Sequence, residues 1–104
     1  MNTVAGVITF KAKPGKGAEV GQLIAAALPA VNAESGTPLW LVLRSDADPD
    51  QLFLVDLFSN AASRDSHMGG KAADLIFKTV PPLLASEPAI HAAQLVASKG
   101  AEKF

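Results

Sequence analysis

The chain has 104 residues but no cysteine, no tyrosine, one tryptophan and two histidines. Without cysteine there can be no disulfide, thiol nucleophile or thiolate metal site, and the composition fits a reducing compartment. Without tyrosine there is no phenolic proton relay. Charge of either sign is not in excess, with nine Lys+Arg against ten Asp+Glu, so there is no electrostatic footprint for nucleic acid or an anionic membrane surface. No apolar run approaches the length that spans a bilayer. The opening Met1–Phe10 lacks a basic segment ahead of its short apolar run, so no secretory leader is expected and a cytoplasmic protein is. Two histidines without a clustered third ligand make no metal site, and no nucleophile elbow, P-loop or dinucleotide fingerprint is present.

What the chain has in plenty is apolar residues, 49% of the total with a mean hydropathy of +0.26. This length suits a single domain, residues 1–104, able to bury roughly two thirds of its unfolded surface. Val4–Lys11 reads as a first strand, ended by the turn Lys13–Gly17. That turn precedes a helix, whose N-terminus is only a weak lure for an anion. Val20, Leu23, Ile24, Ala27 and Val31 recur at helical spacing and predict one helix from Gly17 to Glu34, bent at Pro29 and stopped by Gly36. Pro38–Ser45 and Gln51–Ser59 read as strands joined in an antiparallel hairpin by the acidic turn Asp46–Asp50.

A second helix is expected to be capped by Asn60 and interrupted at Gly69-Gly70. It resumes over Lys71–Val80 with Ala72, Leu75 and Ile76 on one face, and stops at Pro81-Pro82. Leu83–Ser86 is expected to add one more turn, Ala89–Lys99 a fourth strand, and residues 100–104 a tail. The order βαββαβ is that of a ferredoxin-like α+β fold with a four-stranded antiparallel sheet. Such a sheet should alternate apolar and polar residues, yet Leu39–Leu43 and Leu52–Leu57 are almost wholly apolar. Both sheet faces are therefore greasy. Helices cover one, and a second copy of the chain is the expected cover for the other.

Six of the seven residues from Leu52 to Phe58 are apolar, and the exception is Asp56. Strand alternation puts it on the face of Leu54 and Phe58. A carboxylate so placed needs a partner: Arg64, a helix N–H, a histidine that it orients, or a substrate. Ser63, Arg64 and His67 occupy neighbouring positions on the next helix. Imidazole is the side chain best suited to base chemistry near neutrality, so His67 is the candidate base, although a lone histidine is more often structural. His91 reads as a sheet or rim residue. Trp40 reads as core or as a wall for an aromatic ligand.

Four segments together carry a family resemblance: F-x-x-K-P-G-K at Phe10–Lys16, the helix end Pro29–Thr37, D-x-F at Asp56–Phe58 and A-x-R-x-x-H at Ala62–His67. Over about residues 3–99 the chain resembles the antibiotic biosynthesis monooxygenase domain, in its quinol monooxygenase branch of the dimeric α+β barrel superfamily. The resemblance implies a homodimeric barrel and a monooxygenase reaction that needs no cofactor. In that reaction a small quinol or polyphenol is deprotonated in an apolar cavity and its anion reduces O₂. His67 would be the base, with Asp56 and Arg64 as orienting and charge-balancing partners. Trp40, Phe58, Leu54 and Ile76 would line the substrate site. Strand one has no Asn and the lone Trp is on strand two, which is unlike the haem-degrading members. The competing expectation is a non-catalytic stress-response or small-ligand-binding protein of the same fold.

Overall fold

Pairing of the apolar, β-branched segments builds the sheet. The computed structural model describes residues 4–100, so the tail expected at 101–104 lies outside the described residues. Strand β1 (Val4–Lys11) is central, flanked by β3 (Gln51–Phe58) and β4 (Ala89–Gln94), and β2 (Leu39–Arg44) pairs with β3. The order is β2-β3-β1-β4, all antiparallel, as the ferredoxin-like α+β reading requires. Helical segments α1 (Gly17–Ala25), α2 (Leu28–Asn32), α3 (Ala61–Met68) and α4 (Lys71–Thr79) complete the fold. No helix among the described residues is long and apolar enough to cross a membrane.

Register assigns the two faces, because directly opposed residues share one. Ile8 and Phe10 meet Leu54 and Leu52 on the helix side, where they pack with Val20, Ile24, Val31, Ile76 and Val80 in the buried core. The opposite side carries Val7, Phe53, Val55, Leu39, Leu41 and Leu43. Leu41 and Leu43 are 42% and 47% exposed there, so the second face leaves apolar surface in water.

The expected elements are present, with four departures. The first helix is two helices, because Pro29 has no N–H to bond Ala25 and its ring would strike that carbonyl. The chain closes α1 with a tight Ala27 N–H to Ile24 bond and restarts at Leu28. The extra turn falls at Pro81–Leu83 rather than at Leu83–Ser86, and Leu84 is extended and bridges to Ala12. Leu75 is 39% exposed, and Ala73 takes its expected place in the core beside Ala72 and Ile76. Strand β4 ends at Gln94, opposite Val4, instead of running to Lys99, because residues 95–99 have no ladder partner among the described residues.

The acidic β2–β3 turn has a second task, at the start of α1. Asp50 accepts hydrogen bonds from the N–H groups of Gly15 (3.2 Å) and Gly17 (3.0 Å), so the anion at this helix N-terminus comes from the chain itself. Asp48 pairs with Lys11, whose hydrogen bond holds the carboxyl below its usual range. The approach is so close that a Cβ on Gly17 would lie 1.9 Å from the Pro49 carbonyl oxygen, which is backbone and cannot swing away. Replacing Gly17 with Ala should therefore cost about 2–3 kcal/mol in urea denaturation, and Asp50→Ala about 1 kcal/mol through the lost cap. An unchanged midpoint for Gly17→Ala would contradict this clamp.

Candidate functional site

Asp56 sits on the helix side of β3, as its alternation with Leu54 and Phe58 predicts, and its side chain is 3% exposed. Room for the carboxylate comes from the strand beside it. Gly6 lies directly opposite on β1, and a Cβ there would stand 2.7 Å from Asp56 Oδ1. Burial pushes the Asp56 carboxyl up to about 6. The charge of His67 opposes that rise and the charge of Glu34 adds to it.

Helix α3 brings the imidazole. Asn60 starts the helix by accepting the Ser63 N–H (2.8 Å), as expected of its cap, and His67 arrives in the last turn, 4% exposed. Its ring lies tilted against Phe58, with centroids 5.2 Å apart. The two nitrogens face opposite ways. Nε2 is 3.5 Å from Asp56 Oδ2, an ion-pair separation longer than a formed hydrogen bond. Nδ1 is 2.5 Å from Glu34 Oε1, just beyond the end of α2. That oxygen also accepts the Thr37 hydroxyl at 2.8 Å. An ionised carboxylate can only accept, so Glu34 requires a proton on Nδ1; in the neutral ring Nε2 then faces Asp56 as an acceptor for its protonated form. Asp56, His67 and Glu34 thus form a line rather than a cluster around one point.

Two hollows flank the line. A cavity of about 120 Å³ opens between α3 and the β1–β4 side of the sheet. Gly6, Ile8, Asp56 and Phe58 form its buried floor, with Arg64, Asp65 and Met68 on the α3 wall and Ile90, His91 and Ala92 on the β4 wall. On the other side, a polar groove runs between residues 33–37 and the residues Ser63, Ser66 and His67 of α3, and Glu34 forms part of its lining.

The sequence candidates separate into three groups. Asp56, Arg64 and Phe58 line the cavity. His67, expected as the base, stands behind Asp56 with both nitrogens turned to carboxylates. Leu54 and Ile76 lie in the core and Trp40 packs against it, so none of the three is a wall of the cavity. The Trp40 indole N–H is buried with no hydrogen-bond partner among the described residues. Arg64 donates to the Ala5 carbonyl (3.4 Å), so the partner of Asp56 is the histidine and not the guanidinium. His91 is exposed at the cavity rim. Glu34 was missed. It stands in the helix-end segment used for the family resemblance, but nothing local ties it to an imidazole in another element.

Comparison with known proteins agrees with this architecture. The profile of the family described as antibiotic biosynthesis monooxygenase matches residues 3–94. A Nitrosomonas europaea protein of unknown function is similar at 35% identity and a TM-score of 0.86, with 95% of this chain and 94% of that one covered. A conserved Methanosarcina mazei protein (21% identity, TM-score 0.81, 91% and 94% covered) shares the fold. So does a Mycobacterium tuberculosis protein (21% identity, TM-score 0.78, 95% and 98% covered). Among curated proteins no match is found. With the profile spanning nearly the whole of the described fold, the chain belongs to the antibiotic biosynthesis monooxygenase family.

Proposed function

We propose that the protein is a cofactor-independent monooxygenase, a cytoplasmic homodimer that oxygenates a small hydroquinone or polyphenol with O₂. One observation carries the reading: the floor of an apolar cavity holds a buried carboxyl poised at about 6. The cavity volume, about 120 Å³, is below the roughly 150 Å³ that accepts a benzene ring, so the substrate proposed is no larger than a single ring.

Asp56 is the base that meets the substrate, and His67 orients it from behind. A phenol near 10 gives up its proton to a carboxylate near 6 at a cost of about 5 kcal/mol. The Arg64 charge on the cavity wall and exclusion of water offset that cost by stabilising the phenolate. The anion then reduces O₂. A hydroquinone and O₂ give the hydroxyquinone and water, one oxygen atom in each, with all the electrons supplied by the substrate. No external reductant is required.

The apolar outer sheet face supports the dimer, since association would remove Leu41, Leu43, Phe53 and Val55 from water. Sedimentation velocity at micromolar concentration should give a dimer for the wild type and a monomer for Leu41→Asp/Leu43→Asp. A monomeric wild type would remove the dimer from the proposal.

Oxygen uptake with a panel of single-ring hydroquinones tests the reaction. Asp56→Asn should lower kcat by about 10²–10⁴, and wild-type kcat/KM should fall as pH drops through about 6. Wild-type uptake no faster than buffer across the panel would leave a binding protein. Stability should move the other way. The folded pKa of Asp56 lies above its unfolded value near 3.8, so folding favours the protonated form. Its contribution is fullest below about 4 and is lost as pH rises toward 6. At pH 8 Asp56→Asn should therefore be more stable than wild type by about 1–3 kcal/mol, measured by chemical denaturation. A less stable variant would mean that Asp56 is a structural anchor.

A further inference from the structure

We infer that Asp56, His67 and Glu34 form a proton path through the protein, joining the apolar cavity to the polar groove beyond α3, with Glu34 as its outer end. The inference rests on the reading of Asp56 as the group that takes a substrate proton, and it adds where that proton goes.

Geometry carries it. Asp56 lines the cavity and Glu34 lines the groove, and each belongs to one hollow only. Between them His67 is buried, with one ring nitrogen toward each carboxylate (3.5 Å to Asp56, 2.5 Å to Glu34). Glu34 is 23% exposed, wet enough to trade a proton with groove water, and the Thr37 hydroxyl fixes the oxygen that meets the imidazole. The alternative exit is the cavity mouth, where bound substrate blocks water and the cationic Arg64 repels a leaving proton. The other charged group at that end, Asp65, also belongs to the cavity side.

Each transfer balances. The substrate O–H proton passes to Asp56, then to Nε2 of His67, while Nδ1–H passes to Glu34 and on to water. The imidazole is left as the Nε2–H tautomer. After the substrate anion has reduced O₂, the reduced oxygen needs a proton, and the same line run backwards supplies it. That return restores Nδ1–H. Glu34 never touches substrate; it is a positioning and relay residue.

Two measurements on the full chain test this. In nitrogen-15 spectra of the His67 ring without substrate, a proton should sit on Nδ1, facing Glu34. Exchange of the Nδ1 proton with water should slow about tenfold or more in Glu34→Gln. An Nε2–H tautomer, or exchange unchanged by the variant, would overturn the path whether or not any hydroquinone is turned over. In oxygen uptake, Glu34→Gln, whose amide keeps an acceptor for Thr37, should lose about tenfold or more in kcat at unchanged KM. Acetate should restore most of it. A loss that acetate does not rescue, in a variant with wild-type circular dichroism, would also overturn it. Absence of wild-type uptake would instead count against the oxygenase reading, and the ring spectra would still decide the path.

Discussion

Burial of one carboxylate in the apolar side of the sheet constrains everything around it. An ionised group taken from water costs several kcal/mol unless it is paired or takes a proton, and Asp56 does some of each. Its pKa rises to about 6, and an imidazole stands within ion-pair range. Accommodation extends to the neighbouring strand, where Gly6 at the paired position leaves space for the carboxylate that a Cβ would crowd to 2.7 Å. It extends also to α3, whose last turn must deliver His67, and to the end of α2, where Glu34 and Thr37 hold the far side of the ring. A purely structural core would fill that position with Leu or Val at lower cost. The buried acid, beside a small apolar cavity, is the physical basis of the functional reading.

The scaffold explains why the acid can stay. The β1–β3 ladder fixes the height of Asp56, and the core of Phe10, Leu52, Leu54, Ile24 and Ile76 holds the sheet against the helices next to it. At the opposite end, Asp50 ties the β2–β3 turn to the start of α1. The rigid core and the hollow thus occupy different parts of the same sheet face: helices α1, α2 and α4 pack over one part, while α3 roofs the cavity. The apolar excess of the chain falls into two portions. One is this core, and the other is the outer sheet face, where Leu41 and Leu43 are exposed.

Much of this was legible in the sequence because it depends on local signals. β-Branched runs, the Asn60 cap, the Gly69-Gly70 break and the acidic hairpin turn each act within a few residues, so element order and sheet class follow from them. Asp56 was legible for a similar reason: strand alternation alone puts it on the core face. Errors arose where tertiary context decides. Pro29 splits a helix that periodicity alone would continue, and β4 can run only as far as its partner strand. Leu54 and Ile76 are apolar residues on the correct side, but sequence cannot say which interior residues meet a hollow and which meet another helix. The Glu34–His67 contact joins residues 33 apart, and a glutamate after a helix otherwise reads as solvated charge.

Asp56 is a buried acid whose carboxyl is pushed up to about 6. Carbon-13 spectroscopy of the Asp56 side-chain carboxyl over pH 3–9, assigned by comparison with Asp56→Asn, reads it directly. A titration centred near 6 is expected. A carboxyl that titrates near 4, like a solvated aspartate, would contradict it.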